Sequence, residues 1–230
     1  MRRIVTLILC LFLLPVRADA TQATRYVALT FDDGPSGRYT RHLLEGLRDR
    51  DAKATFLLCG YRIAQYPDLT EQIFREGHEI GYHGYSHGSM MTMSRRDIAR
   101  ELQDTGSLLP EGCAPVFLRP PGGEISDAVT QVAKARQLAI LRWSVDPRDW
   151  ATRDAVAVES AVLGNVQDGD IILLHDMTDS SVRAALEIVD RLKSQGFRFV
   201  TVSELARLRD TDLIPGELYT CFPKKPMRNK

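Results

Sequence analysis

The chain has 230 residues, 44% apolar and 26% charged, with 30 basic side chains against 30 acidic ones. That length and apolar content support one sizeable core and a single domain. The balanced charge excludes nucleic acid, or an anionic membrane surface, as the expected partner.

Residues 1–20, MRRIVTLILCLFLLPVRADA, set Arg2 and Arg3 before an apolar run at 4–14 and end in Ala18-Asp19-Ala20. The run is too short to span a bilayer, so the segment reads as a secretory signal peptide cleaved after Ala20, the alternative being an uncleaved anchor. Cys10 lies mid-run without the small residues of a lipoprotein cleavage site before it. Cleavage takes away three arginines and one aspartate, leaving 27 basic and 29 acidic residues and a net charge of about −2. The expected location is therefore secreted, or the cell envelope or periplasm, with no stable membrane insertion once the leader is gone. Cys59, Cys113 and Cys221 remain with no CxxC spacing, which allows one disulfide and one leftover thiol without fixing the pairing.

Along residues 21–230 strand-like runs at 26–31, 54–58, 79–82, 116–118, 139–143, 170–174 and 197–200 alternate with helical patterns. The helical patterns fall at 38–50, 62–76, 94–109, 126–137, 152–164 and 180–195, with a short one at 203–208; Ser126 and Ser203 read as helix caps. This alternation predicts an α/β fold in which helices cover a parallel sheet, and seven strands suffice to close a barrel. The end, Lys224 to Lys230, is a short basic tail of the solvated kind.

Five polar or glycine- and proline-rich clusters follow strands in this scheme. They are TFDDG (30–34), HGYSH (83–87), RPPGG (119–123), WSVDPRDW (143–150) and LLHD (173–176). In a parallel barrel the carboxyl ends of strands share one rim, so the clusters are expected to build one site. His83 and His87 stand four apart, which on a helical turn puts both imidazoles on one side; adding Asp33 gives a ligand set for zinc or a similar divalent ion. The cation would offset the repulsion between Asp32 and Asp33 and leave Asp32 free as a general base. The backbone of TFDDG reads as an Asx turn with Gly34 at positive φ. His175, closing an apolar run, suits a general acid if an acidic neighbour raises its pKa; Asp146, Asp149 and Asp176 are the candidates. Arg119 is placed to pair with Asp32. His78 and Trp143 read as core residues, and His42 as exposed.

TFDDG, HxxxH, RPPxG, DxxDW and LxH, in this order, resemble the polysaccharide deacetylase family of carbohydrate esterases, built on the NodB homology domain, over roughly residues 24–208. The resemblance implies a distorted (β/α)7 barrel that removes acetyl groups from glycans with a divalent metal, zinc first and cobalt second. It implies Asp32 as base, Asp33, His83 and His87 as metal ligands, and His175 as acid. Arg119 would orient Asp32 and Asp149 would tune His175. Trp150 and Leu173 would wall the substrate groove, and the backbone N–H near Gly122 would help hold the oxyanion. The implied substrate is a polysaccharide or oligosaccharide, with N-acetylglucosamine units of peptidoglycan or chitin ahead of acetylated xylan; a glycan-binding pseudoenzyme is the reading from a different class. Two positions depart from the family pattern. Gly84 stands where Ser or Thr is usual, losing a hydroxyl expected to steady the loop, and Gly122 stands where an aromatic residue is frequent.

Overall fold

The computed structural model describes residues 24–224; the expected leader and the basic tail from 225 onward lie outside the described residues. Strands and helices alternate as β1 (Arg25–Asp32), α1 (Arg38–Asp49), β2 (Ala54–Leu58), α2 (Gly60–Gln65), α3 (Pro67–Arg75), β3 (Glu79–Tyr82), α4 (Arg95–Gly106) and β4 (Phe117–Leu118). They continue as α5 (Asp127–Ala135), β5 (Ala139–Leu141), α6 (Asp149–Thr152), α7 (Ala155–Leu163), β6 (Ile171–His175), α8 (Asp179–Ser194), β7 (Phe197–Phe199), α9 (Val202–Leu208) and β8 (Leu218–Tyr219). The seven expected strands form within two residues of their expected bounds.

The sheet is parallel and curls into the distorted barrel. β1 is its centre, paired with β2 on one side and β6 on the other, and β3, β4 and β5 extend the order from β2. After β5 the chain bridges back to β6, Val145 pairing with Ile172 and Leu173 N donating to Val145 O at 2.9 Å. β7 pairs with the first three residues of β1. An eighth strand, β8, adds to β5 and was not expected from the sequence. Two residues carry no periodic signal, and the pairing is made by tertiary contact.

Strands covered on both faces read as continuous apolar runs, and β1 shows why its two faces differ. Val27, Leu29 and Phe31 pack outward with Leu43, Leu44 and Leu47 of α1 and Ile188 and Leu192 of α8. Ala28 turns inward with Leu57, Phe117 and Ile171. The same alternation turns Thr30 and Asp32 inward, so a buried carboxylate at the top of β1 follows from register.

Helix boundaries differ from the periodic pattern where local chemistry intervenes. The 62–76 pattern resolves into α2 and α3 because Pro67 opens α3 and has no N–H to continue α2. The 152–164 pattern begins at α7, where Asp154 caps Val156 and Ala157. Left-handed Arg148 and Arg153 isolate α6 as a single turn before it. Ser126 caps α5 as expected, but α9 is capped by Thr201, and the Ser203 hydroxyl instead donates to Glu79. No disulfide forms among the described residues, and Cys59 is buried.

Candidate active site

All five clusters converge on the rim formed by the carboxyl ends of the strands. β1 delivers Asp32, and the chain turns at once: Asp33 adopts φ 73, the left-handed region that aspartate tolerates better than most residues. This corrects the expectation of positive φ at Gly34. Gly34 is required for another reason, since a Cβ there would stand 2.6 Å from the Asp176 carboxylate.

Arg119, from the end of β4, lies fully buried beneath the site. Its Nη1 donates to Asp32 Oδ1 at 2.6 Å and to Thr30 Oγ1 at 2.9 Å, and its Nη2 donates to Arg142 O at 2.8 Å. A buried guanidinium is costly unless it is paired and hydrogen-bonded, and burial pulls Arg119 below its ordinary value while Asp32 opposes the shift. The pair fixes one Asp32 oxygen and leaves Oδ2 facing the cleft, 3.8 Å from His83 Nε2.

His83 and His87 do not sit on a helical turn. HGYSH is a loop with φ 82 at Gly84 and φ 60 at His87, and this geometry replaces the i, i+4 argument. The loop nevertheless brings both rings to Asp33. Asp33 Oδ1 stands 2.9 Å from His87 Nε2 and 3.2 Å from His83 Nε2, with the ring centroids 5.2 Å apart. Ligand atoms of Asp33, His83 and His87 lie within 4.8 Å of one another. His83 Nδ1 is 2.7 Å from Arg119 O, so that nitrogen carries the proton and Nε2 presents a lone pair to the cleft. Asp33 Oδ1 is buried yet accepts no well-aligned hydrogen bond. Two imidazole nitrogens and an orphaned carboxylate oxygen, aimed at one point, fit a divalent cation. Burial acts to raise Asp33, but the adjacent His83 and His87 imidazoles outweigh it and hold the carboxyl well below the usual range.

His175 ends β6 beside β1, paired in register with Asp32. Of its three candidate neighbours Asp149 is the partner: Oδ1 lies 2.9 Å from His175 Nδ1, and Oδ2 accepts from His175 N at 2.9 Å. Burial disfavours the imidazolium, but the bond and charge of Asp149, aided by Asp32 and Asp33, push His175 up to about 9. Its Nε2 points back into the site, 4.0 Å from Asp33 Oδ2. Asp146 instead accepts from Arg148 N at 2.9 Å. Asp176 is fully buried, bonded by the Thr40 hydroxyl, and burial pushes it up to about 6.

These groups face a cleft of about 390 Å³ that is also lined by Gly122, Trp143, Asp146, Trp150 and Leu173. Gly122 adopts φ 70 in a one-turn 3₁₀ helix, and Trp150 is 54% exposed at the mouth. Trp143 was expected in the core. It packs there in part, yet it also lines the cleft, with the Arg119 and Arg142 guanidinium carbons each 5.5 Å from its ring centroid. Its place after β5, among the rim clusters, was the signal available in the sequence. His78 and His42 take the places expected of them, buried and exposed respectively.

A polysaccharide deacetylase family model matches residues 19–141. A peptidoglycan-N-acetylglucosamine deacetylase of Bacillus cereus is 40% identical over 191 residues, spanning 80% of this chain and 90% of the relative. The peptidoglycan-N-acetylmuramic acid deacetylase PdaC of Bacillus subtilis is 33% identical over 198 residues, and this chain spans 85% of itself but only 42% of that longer protein. A solved structure of PdaC superposes with a TM-score of 0.78 over 82% of this chain and 93% of the solved one. A family 4 acetyl xylan esterase from Clostridium thermocellum, solved with a cobalt ion, superposes with a TM-score of 0.81 at 33% identity, over 86% of this chain and 100% of the other. With the barrel, the ordered motifs and these relatives in agreement, the chain belongs to the polysaccharide deacetylase family.

Proposed function

We propose that the protein is a secreted or envelope-located, divalent-metal-dependent hydrolase that removes N-acetyl groups from N-acetylglucosamine residues of a glycan, peptidoglycan ahead of chitin oligomers. The observation that carries this reading is the placement of Asp32 and His175 beside the Asp33, His83 and His87 set, Asp32 Oδ2 lying 3.8 Å from His83 Nε2 and His175 Nε2 4.0 Å from Asp33 Oδ2. A binding protein has no need of a base and an acid so disposed. The 40% identity to a peptidoglycan-N-acetylglucosamine deacetylase supports the substrate.

Asp33, His83 and His87 would hold the ion, zinc first and cobalt second. When bound, such an ion lowers the pKa of a water toward 7 and polarises a carbonyl oxygen. The chain's own groups then account for the proton traffic of amide hydrolysis. Asp32, oriented through Oδ1 by Arg119, takes the proton of the attacking water on Oδ2. His175, with Nδ1 committed to Asp149, carries a proton on Nε2 and gives it to the nitrogen of the departing amine. The products are acetate and a glucosamine unit. The backbone N–H near Gly122 assists the oxyanion, and Trp150 and Leu173 wall the groove. Gly122 supplies no aromatic face, so stacking falls to Trp150 and Trp143.

A second reading, an O-acetyl esterase on xylan, is favoured by the likeness to the acetyl xylan esterase. Acetate release from peptidoglycan, acetylated chitooligosaccharides and acetylxylan, measured with zinc, with cobalt and after chelation, separates the readings. Release from the amide substrates that stops on chelation and returns with metal is expected. Release confined to acetylxylan selects the esterase, and no release from any substrate with metal restored selects a binding protein.

A further inference from the structure

The backbone of the 83–87 loop is bonded on both sides, and one side depends on a single carboxylate. On the first side, His83 N donates to Leu58 O, and the carbonyls of Gly84 and Tyr85 accept from Gly60 N and Tyr61 N of α2, all at 3.0 Å. On the second side, among the described residues, no strand or helix backbone hydrogen-bonds the loop. Glu101 of α4 reaches it instead: Oε2 accepts from Tyr85 N at 2.6 Å and from Ser86 N at 2.8 Å, and Oε1 accepts from Ser86 Oγ at 2.9 Å. Glu101 forms no ion pair among the described residues, so its charge is committed to these three donors.

Gly84 belongs to the same device. It adopts φ 82, and a Cβ there would stand 3.2 Å from Glu101 Oε2 and 3.0 Å from Met90 Cε, so a side chain at 84 would crowd the carboxylate. The hydroxyl expected at position 84 is absent, and a carboxylate from a neighbouring helix occupies the adjoining space. Immediately after the clasped amides comes His87, held at φ 60 with Nε2 directed at Asp33.

We propose that Glu101 is a positioning residue of the metal site, clasping the amides of Tyr85 and Ser86 so that His87 meets Asp33 and His83 at ligand distance. The proposal rests on reading His83 and His87 as metal ligands. Groups that orient ligands without touching the ion are worth roughly 10- to 100-fold in metal affinity, and that is the effect expected here.

The test is the zinc affinity of the full chain, measured by competition with a chromophoric chelator, with KM for an acetylated chitooligosaccharide taken at saturating zinc. Glu101→Ala should weaken zinc binding by about 10- to 100-fold and leave KM unchanged. Glu101→Gln should stay near the parent, because its amide oxygen accepts from both backbone amides and its NH2 donates to Ser86 Oγ. Ser86→Ala, which removes one of the three bonds, should fall between them and carries the test if Glu101→Ala does not fold. Zinc affinity of Glu101→Ala equal to that of the parent overturns the proposal. So does a Glu101→Gln variant as weak as Glu101→Ala, which would assign the effect to charge. A parent that binds zinc but releases no acetate defeats the proposed function and leaves the clasp standing. A parent that binds no zinc defeats both.

Discussion

Each rim of the barrel holds a desolvated histidine, His78 buried and His175 half-buried, and the two are driven in opposite directions. His78 precedes β3 at the rim of amino ends, 5% exposed, where its Nδ1 accepts from Ala54 N at 3.2 Å and its ring meets Phe56 edge-on. Burial, with the Lys53 cation nearby, pushes it down to about 4. His175, at the rim of carboxyl ends, is also disfavoured by burial, but Asp149 reverses the sign. Desolvation is common to both, so the partner decides the charge. One rim uses its histidine as a neutral spacer for packing, and the other maintains an imidazolium beside two further carboxylates.

The comparison is broken most sharply at Asp32. Replacing it with Asn should lower the deacetylation rate by about 10² to 10⁴ while zinc stoichiometry remains that of the parent, and it should also lower folding stability because Arg119 loses its buried counter-charge. A rate near the parent's would remove Asp32 from the base role. The next effect belongs to the other rim and to stability. A histidine depressed to about 4 in the fold but near 6.5 when unfolded takes its proton in the unfolded state first, so stability is lost as pH falls from about 6.5 toward 4, by on the order of 3 kcal/mol in all. Asp176, pushed up to about 6, contributes the opposite slope over the same range, so the His78 contribution is read in urea unfolding as the difference between the parent and His78→Asn, the variant losing less stability on acidification at unchanged kcat. The smallest effect sharpens the role of Asp149. Asp149→Asn removes the charge that favours the imidazolium, so the alkaline limb of the rate profile should move to lower pH by about one to two units. A limb that stays in place would mean that Asp149 does not set the acid.

The same contrast shows what a sequence discloses. The order of strands was legible because buried parallel strands are apolar runs of unmistakable composition, and the site was legible because its residues fall where those runs stop. Asp32, Asp33, His83, His87, Arg119, Asp149 and His175 were all placed on the rim on that ground, and the cleft contains or adjoins each of them. What escaped was set by contacts distant in sequence. The HGYSH backbone lies outside the helical region, and its amides bond Glu101, fifteen residues or more away, a contact that local spacing does not reveal. The positive φ falls on Asp33 and leaves Gly34 as the glycine that makes room for Asp176, a contact across more than 140 residues. β8 forms because β5 offers an open edge. Pro67, by contrast, was a readable stop inside the 62–76 pattern.

The measurement that bears most directly on the account is the number of divalent ions bound per chain, for the parent and for Asp33→Ala and His83→Ala. One ion per parent chain, lost in both variants while the far-ultraviolet circular dichroism is unchanged, is the predicted result. Undiminished binding in either variant would contradict it.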